Sequence, residues 1–160
     1  MKILVLSDSH RHRHALESIL FDHQNADEIV FLGDGLNDLE ECQYVISGFS
    51  SRTLRAVTGN CDIGSFFTPL SLVFEVEGHR FLCTHGHCQY VKQDFHRLIS
   101  EAQEKNCGIA LFGHTHCPTL TIHNGITLFN PGSVAEGSYG LITIDPQTKQ
   151  VEFQHCRADS

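Results

Sequence analysis

Apolar residues follow two rhythms along this chain. Short, mostly apolar runs at Lys2–Ser7, Glu28–Leu32, Thr53–Thr58 and Gly108–Phe112 stop abruptly at polar or glycine-bearing turns, and they read as buried strands. Between the first three lie segments with helical spacing. His12–His23 carries Ala15, Leu16, Ile19 and Leu20 on one side, and Asn37–Ile46 carries Leu39, Cys42, Val45 and Ile46 on one stripe. A strand–helix–strand–helix–strand order predicts a parallel sheet with right-handed crossovers.

Past residue 70 the pattern changes. Ser71–Val76 and Arg80–Thr84 flank Glu77-Gly78-His79, which predicts an antiparallel hairpin. Asp94–Lys105 reads as a helix with Phe95, Leu98, Ile99 and Ala102 on one face. Thr119–His123, Ile126–Asn130, Gly140–Asp145 and Gln150–His155 read as strands, with turn signals at Asn124-Gly125 and Asp145-Pro146. No repeat, low-complexity tract or linker interrupts the chain. The expectation is a single α/β domain over residues 1–160, with two sheets face to face and helices outside.

Composition narrows the function classes. A formal charge of −8 argues against non-specific binding to nucleic acid or anionic lipid. An acidic protein that handles phosphate needs local positive charge, and metal ions supply it. The 12 histidines outnumber the 11 lysines and arginines combined. The 7 cysteines show no paired CxxC spacing. The opening apolar run, Met1 to Leu6, is too short for a signal-peptide core, and no run reaches the ~18 residues of a membrane span. Reduced thiols and a cytoplasmic address are therefore expected.

Five short clusters carry candidate chemistry, each at the end of a predicted strand. Asp8-Ser9-His10 offers a carboxylate and an imidazole to one ion. Gly33-Asp34 presents a carboxylate where open α/β sheets bind ligands, with Asp38 expected near a helix start. Gly59-Asn60-Cys61-Asp62 offers an amide that can ligate through oxygen and donate through nitrogen. Thr84-His85-Gly86-His87 and Gly113-His114-Thr115-His116 place two histidines beside a glycine after an apolar strand. Taken singly, several of these are also ordinary turns, and Asp8 also reads as a helix cap. Together, at converging strand ends, mixed Asp, His and Asn donors suit Mn, Fe(II) or Zn better than a closed structural zinc site.

These residues resemble the calcineurin-like metallophosphoesterases, and within them the small bacterial and archaeal phosphodiesterases. The likeness rests on Asp8-x-His10, Gly33-Asp34, Gly59-Asn60, His85-Gly86-His87, Gly113-His114-Thr115-His116 and Asn130-Pro131-Gly132-Ser133, and runs from Lys2 to about Asp145. It implies a four-layer α-β-β-α sandwich of two mixed sheets flanked by helices. It also implies two divalent metal ions, Mn2+ first and Fe2+, Ni2+ or Zn2+ as alternatives. Asp8, His10 and His116 would hold one, Asn60, His85 and His114 the other, with Asp34 between them. Such a pair makes hydroxide from a bridging water, which attacks phosphorus in line. The implied substrate is a small phosphate ester, with no membrane and no stable nucleic-acid binding; the oligomeric state stays open, a homo-oligomer included.

Two departures matter. Many relatives have a histidine after the Gly-Asn pair as proton donor; here, as the small branch often has, it is a cysteine, Cys61, a weaker donor at neutral pH than imidazolium. Cys61, His87 and His12 are all candidates for the general acid, and Asn60 and His87 for steadying substrate. The branch also tends to follow Asn-Pro-Gly-Ser with Pro-Arg, whereas this chain continues Val134-Ala135-Glu136-Gly137 and lacks that phosphate clamp. Cys61, Cys88 and Cys117 read as small semi-buried side chains, with oxidation sensitivity as the sharper alternative. The competing functions are a non-catalytic scaffold like the eukaryotic retromer subunit of this fold, and a phosphomonoesterase or dinucleoside polyphosphate hydrolase.

Overall fold

The computed structural model describes residues 1–47, 53–63 and 68–158. Its first sheet has the order β10-β9-β1-β2-β3, built from Lys2–Leu6 (β1), Glu28–Phe31 (β2), Thr53–Ala56 (β3), Ser138–Ile144 (β9) and Val151–Arg157 (β10). The first three run parallel, and β9 and β10 are antiparallel additions. The second sheet has the order β4-β5-β6-β8-β7: Ser71–Val76, His79–Thr84, Ile109–Leu111, Ile126–Asn130 and Thr119–His123 respectively. Here β5, β6 and β8 run parallel, with antiparallel β4 and β7 at the edges.

Side-chain alternation along the strands explains the layers. Ile3 and Val5 of β1 join Val30, Phe81, Leu111 and Phe129 in a core between the two sheets. Leu4 and Leu6 point the other way, into a cluster with Leu16, Ile19 and Leu20 of helix α1 (Arg13–Asp22). On the far side, Leu82, Ala110 and Phe112 pack against Leu98, Ile99 and Ala102 of α4 (His96–Glu104). The result is the four-layer α-β-β-α sandwich of two mixed sheets.

The differences from the sequence pattern are local. Asn37–Ile46 is not one helix but two, α2 (Leu36–Glu41) and α3 (Gln43–Ser47). The fully buried Cys42 joins them: its N–H reaches the carbonyls of both Asp38 and Leu39, and its own carbonyl takes the Val45 N–H. This tightening to i→i+3 bonding breaks the α-helical ladder while keeping Val45 and Ile46 in the core. The first hairpin turn is only Glu77-Gly78, both at positive φ (51° and 83°), so His79 already pairs with Val76. A 3-10 turn at Val134–Glu136, absent from the sequence reading, ends at left-handed Gly137 and starts β9 two residues early.

Candidate metal centre

The carbonyl ends of the parallel strands in both sheets meet at one edge of the sandwich. Asp8 and His10 follow β1, Asp34 follows β2, Asn60 and Asp62 follow β3, His85 follows β5, and His114 and His116 follow β6. Their ligand atoms form two adjoining groups. In one, Asp8 Oδ1 lies 3.2 Å from both His10 Nε2 and His116 Nε2, which are 3.1 Å apart. In the other, His85 Nε2 lies 3.2 Å from both Asp34 Oδ2 and His114 Nδ1. Asp34 Oδ2 is also 3.7 Å from His10 Nε2, so this carboxylate faces both groups.

These spacings can be tested against metal coordination. Bonds of roughly 2.1 Å separated by about 90–110° place neighbouring ligand atoms ~3.0–3.4 Å apart. The 3.1–3.2 Å separations match, with carboxylate and imidazole donors of the kind that first-row divalent ions take. Protonation alone satisfies such a set poorly, because neutral imidazoles hold one N–H each. For His85 that proton is already committed. Its ring is fully buried and Nδ1 lies 2.7 Å from the Leu32 carbonyl, so Nδ1–H donates there and Nε2 turns a lone pair into the site.

The loops that carry these groups are held in costly backbone conformations. Asp8, His10, Asp34, His114 and His116 all have positive φ, between 41° and 69°. Each such residue costs about 1 kcal/mol relative to the usual basins. Cross-loop hydrogen bonds offset this. Asp8 N–H donates to the Gly33 carbonyl, His10 N–H to that of Asp34, and Gly113 N–H to that of His85. The buried Ser133 hydroxyl donates to the Asp8 carbonyl (2.7 Å), and buried Asn130 donates to the Gly113 carbonyl (3.0 Å). Asn130-Pro131-Gly132-Ser133 is therefore a structural brace under the first and last clusters. Two glycines make the approach possible. A Cβ on Gly59 would sit 2.2 Å from Asp34 Oδ1, and one on Gly113 2.1 Å from Ser7 Oγ.

Electrostatics follow from this crowding. Burial opposes ionisation of Asp34, but His85 and the Cys61 N–H (2.8 Å to Oδ1) hold its carboxyl well below the usual range. Burial alone would lower the His85 pKa; Asp34 and Asp8 outweigh it and raise it. Burial, then His85 and Lys92, pushes His114 down to about 4.

The remaining candidates fall into different places. The exposed Asn60 amide contacts Cys61 Sγ (3.5 Å). Cys61 Sγ lies within 4.8 Å of ligand atoms of His10 and Asp34, and burial and Asp34 raise its thiol pKa. The His87 ring sits 5.5 Å from His85 and 6.2 Å from His114, with its buried Nδ1 lacking a partner among the described residues. Burial and His85 lower its pKa. His12 turns Nδ1 back to the carbonyls of Ser9 and His10. Two residues escaped the sequence reading as organisers of the site. Asp62 accepts the backbone N–H groups of Asp34, Gly35, Leu36 and Gly59. Buried Asp38 accepts the Ser9 hydroxyl and the Arg11 N–H.

The chain resembles known proteins in both sequence and fold. The phosphodiesterase YfcE of Escherichia coli K12 is 31% identical over 173 aligned residues, covering 91% of this chain and 89% of that protein. A crystal structure of a predicted phosphoesterase from Streptococcus pneumoniae superposes with a TM-score of 0.76 at 26% identity, covering 98% of this chain and 97% of the other. A Vps29 single mutant from Entamoeba histolytica superposes with a TM-score of 0.77 over 99% of this chain and 100% of its own, at 18% identity, and shares the fold. The model of the calcineurin-like phosphoesterase superfamily domain matches residues 1–147, and the chain belongs to that superfamily.

Proposed function

We propose that this protein is a two-metal phosphodiesterase acting as one domain. The observation that carries the reading is Asp34, whose carboxylate faces two adjoining groups of ligand atoms at metal-ligand spacing. Asp8, His10 and His116 hold one ion; His85 and His114, with Asn60, hold the other. Manganese comes first by resemblance to the superfamily, with Fe2+, Ni2+ or Zn2+, which the imidazole donors also suit, as alternatives. When bound, a pair of such ions clamps phosphoryl oxygens and makes water nucleophilic at neutral pH.

The protein's own groups do the rest. Asp8, Asp34 and the imidazoles fix where a phosphoryl group sits, and the Leu32 carbonyl keeps the His85 lone pair aimed inward. Asn60, freed from secondary structure at the rim, steadies a phosphoryl oxygen through its amide nitrogen. A water oxygen, its proton released to solvent, bonds to phosphorus as the ester P–O bond breaks, and the departing oxygen takes a proton from a neighbouring group that is later reprotonated. Cys61 and His87 are the candidates to supply it, though burial and His85 lower the His87 pKa and leave less of its ring protonated. The raised Cys61 thiol pKa makes it a weak donor, so esters with good leaving groups, such as aryl phosphodiesters, are the expected substrates. A small substrate, a cytoplasmic setting and no stable nucleic-acid complex accompany this reading.

Metal analysis followed by a phosphodiester and phosphomonoester panel with Mn, Ni, Fe and Zn tests it. Turnover of aryl diesters with two metals per chain is expected. Absence of turnover with every metal, alongside tight binding of a protein partner, favours the scaffold reading instead.

A further inference from the structure

Beside the metal centre lies a cavity of about 400 Å³ that the proposed chemistry leaves without a role. Its lining includes His10, Asp34 and Cys61 of the site together with Arg11, Asn37 and Ile63. A phosphodiester seated at the metal centre has two ester arms, and one of them can lie in this space.

Charge distinguishes this cavity. Its three carboxylates keep their charge but are held by other partners: Asp62 takes four backbone N–H groups, Asp38 takes the Ser9 hydroxyl and the Arg11 N–H, and Asp34 faces His10 and His85. The Arg11 guanidinium is not so held. It is exposed, and no hydrogen bond or ion pair engages it among the described residues. Nor is Arg11 a loosely placed surface residue. Its backbone sits at φ 71°, pinned by the 2.9 Å bond from its N–H to buried Asp38. A buried carboxylate and a left-handed φ thus fix the backbone of Arg11, the one arginine among the described residues that line the cavity, in a protein of net charge −8.

We propose that this cavity is a substrate subsite with Arg11 as its specificity residue, taking a phosphodiester whose second arm ends in an anionic group, a carboxylate or a phosphate. Ile63 and the methylene stem of Arg11 cover the apolar part of the arm, and the guanidinium pairs with its terminal oxygens in the planar fork that suits either anion. The inference rests on the phosphodiesterase reading for its reaction, but not for its binding.

The test uses the full-length, manganese-loaded protein and two readouts. The first is 4-nitrophenolate release from diesters with 2-carboxyethyl, 2-phosphonoethyl or 2-hydroxyethyl second arms. The second is calorimetric binding of 3-phosphonopropionate against propylphosphonate, which needs no turnover. An anionic arm is expected to gain about fivefold in kcat/KM and in affinity over its neutral counterpart, the scale of one partly exposed ion pair. In Arg11→Ala that ratio falls to about 1, and Arg11→Lys keeps part of it. Lys149→Ala, which removes a charge at the opposite end of the sheets, leaves the ratio in place. The carboxylate and phosphonate arms show which anion the site prefers. Equal turnover of all arms by the unaltered protein overturns the subsite and leaves the phosphodiesterase intact. So does an Arg11→Ala variant that weakens both phosphonates equally. No hydrolysis of any diester, with an Arg11-dependent binding preference retained, keeps the subsite and removes the phosphodiesterase.

Discussion

The carboxylate of Asp62 accepts the backbone N–H of Asp34 at 2.7 Å, tying the loop after β3 to the loop after β2. Asp34 is the carboxylate that faces both ligand groups, so Asp62 sets its backbone without touching the metal site itself. It also takes the N–H groups of Gly35, Leu36 and Gly59, and both its oxygens are fully used. An amide has one acceptor oxygen, so Asp62→Asn abandons two of four donors. Each charge-assisted bond of this kind contributes about 1.5–3 kcal/mol. Asp62→Asn is expected to lower the melting temperature and weaken metal affinity by about 10–100-fold, as changes in groups supporting metal ligands do. Calorimetry with manganese checks this, and unchanged affinity removes Asp62 from the site's support.

Asp34 makes a sharper distinction. If its carboxylate is shared, its loss reduces metal content instead of merely weakening one contact. Asp34→Asn is expected to fall from two metals per chain to one or fewer by elemental analysis. Turnover should drop by at least about 10³-fold, since charge stabilisation in the transition state depends on both ions. A variant that still holds two metals and turns over normally shows that Asp34 is a structural carboxylate.

Much of this arrangement is legible in the sequence, and the reason is geometric. Asp8, Asp34, His85 and His114 each follow an apolar strand directly, so strand ends converging on one edge bring them together without further information. The four-layer order follows equally from alternation, as Ile3 and Val5 face one core and Leu4 and Leu6 the other. What escapes is whatever depends on loops meeting across the chain. Asp62 looks like a turn residue and Asp38 sits at the helix start expected of it, yet nothing local states that Asp38 bonds Ser9 and Asp62 bonds Leu36, 29 and 26 positions away. Asn130-Pro131-Gly132-Ser133 carries the turn signal of Asn-Pro-Gly, and nothing local states that Asn130 and Ser133 are fully buried beneath the site. The break at Cys42 is invisible because Leu39, Cys42, Val45 and Ile46 keep helical spacing across it.

Cys61 Sγ lies within 4.8 Å of ligand atoms of His10 and Asp34, and as a proton donor its thiol is a poor one. Burial and the neighbouring Asp34 raise its pKa. Cys61→His is expected to raise kcat for alkyl phosphodiesters by up to about 10²-fold, the range of general acid catalysis, and to change aryl diesters little. A leaving-group series in both proteins measures this as a flatter dependence on leaving-group pKa in the variant. Identical slopes remove position 61 from proton transfer.

Acidity provides the last test, in the metal-free protein, where protons compete for the same atoms. His85 has a raised folded-state pKa, because Asp34 and Asp8 outweigh burial. Its contribution is therefore fully present below the unfolded value of 6.5 and is lost as pH rises through the folded one. His114 is shifted the other way, to about 4, by burial and by His85 and Lys92. Below 6.5 the unfolded chain takes up that proton while the folded one does not, so stability falls from 6.5 towards 4. His87, lowered by burial and His85, adds to the same side. The two opposed windows meet near the ordinary histidine value, so the metal-free melting temperature is expected to be highest around pH 6.5 and to decline both ways. In the metal-free protein His114→Gln should shallow the acid side, since glutamine has no proton to refuse. Saturating manganese should remove the alkaline decline by occupying the lone pair that the proton otherwise takes. A melting temperature that rises steadily from pH 4 to 8 in the metal-free protein contradicts the raised His85, and one flat from 6.5 down to 4 contradicts the lowered His114.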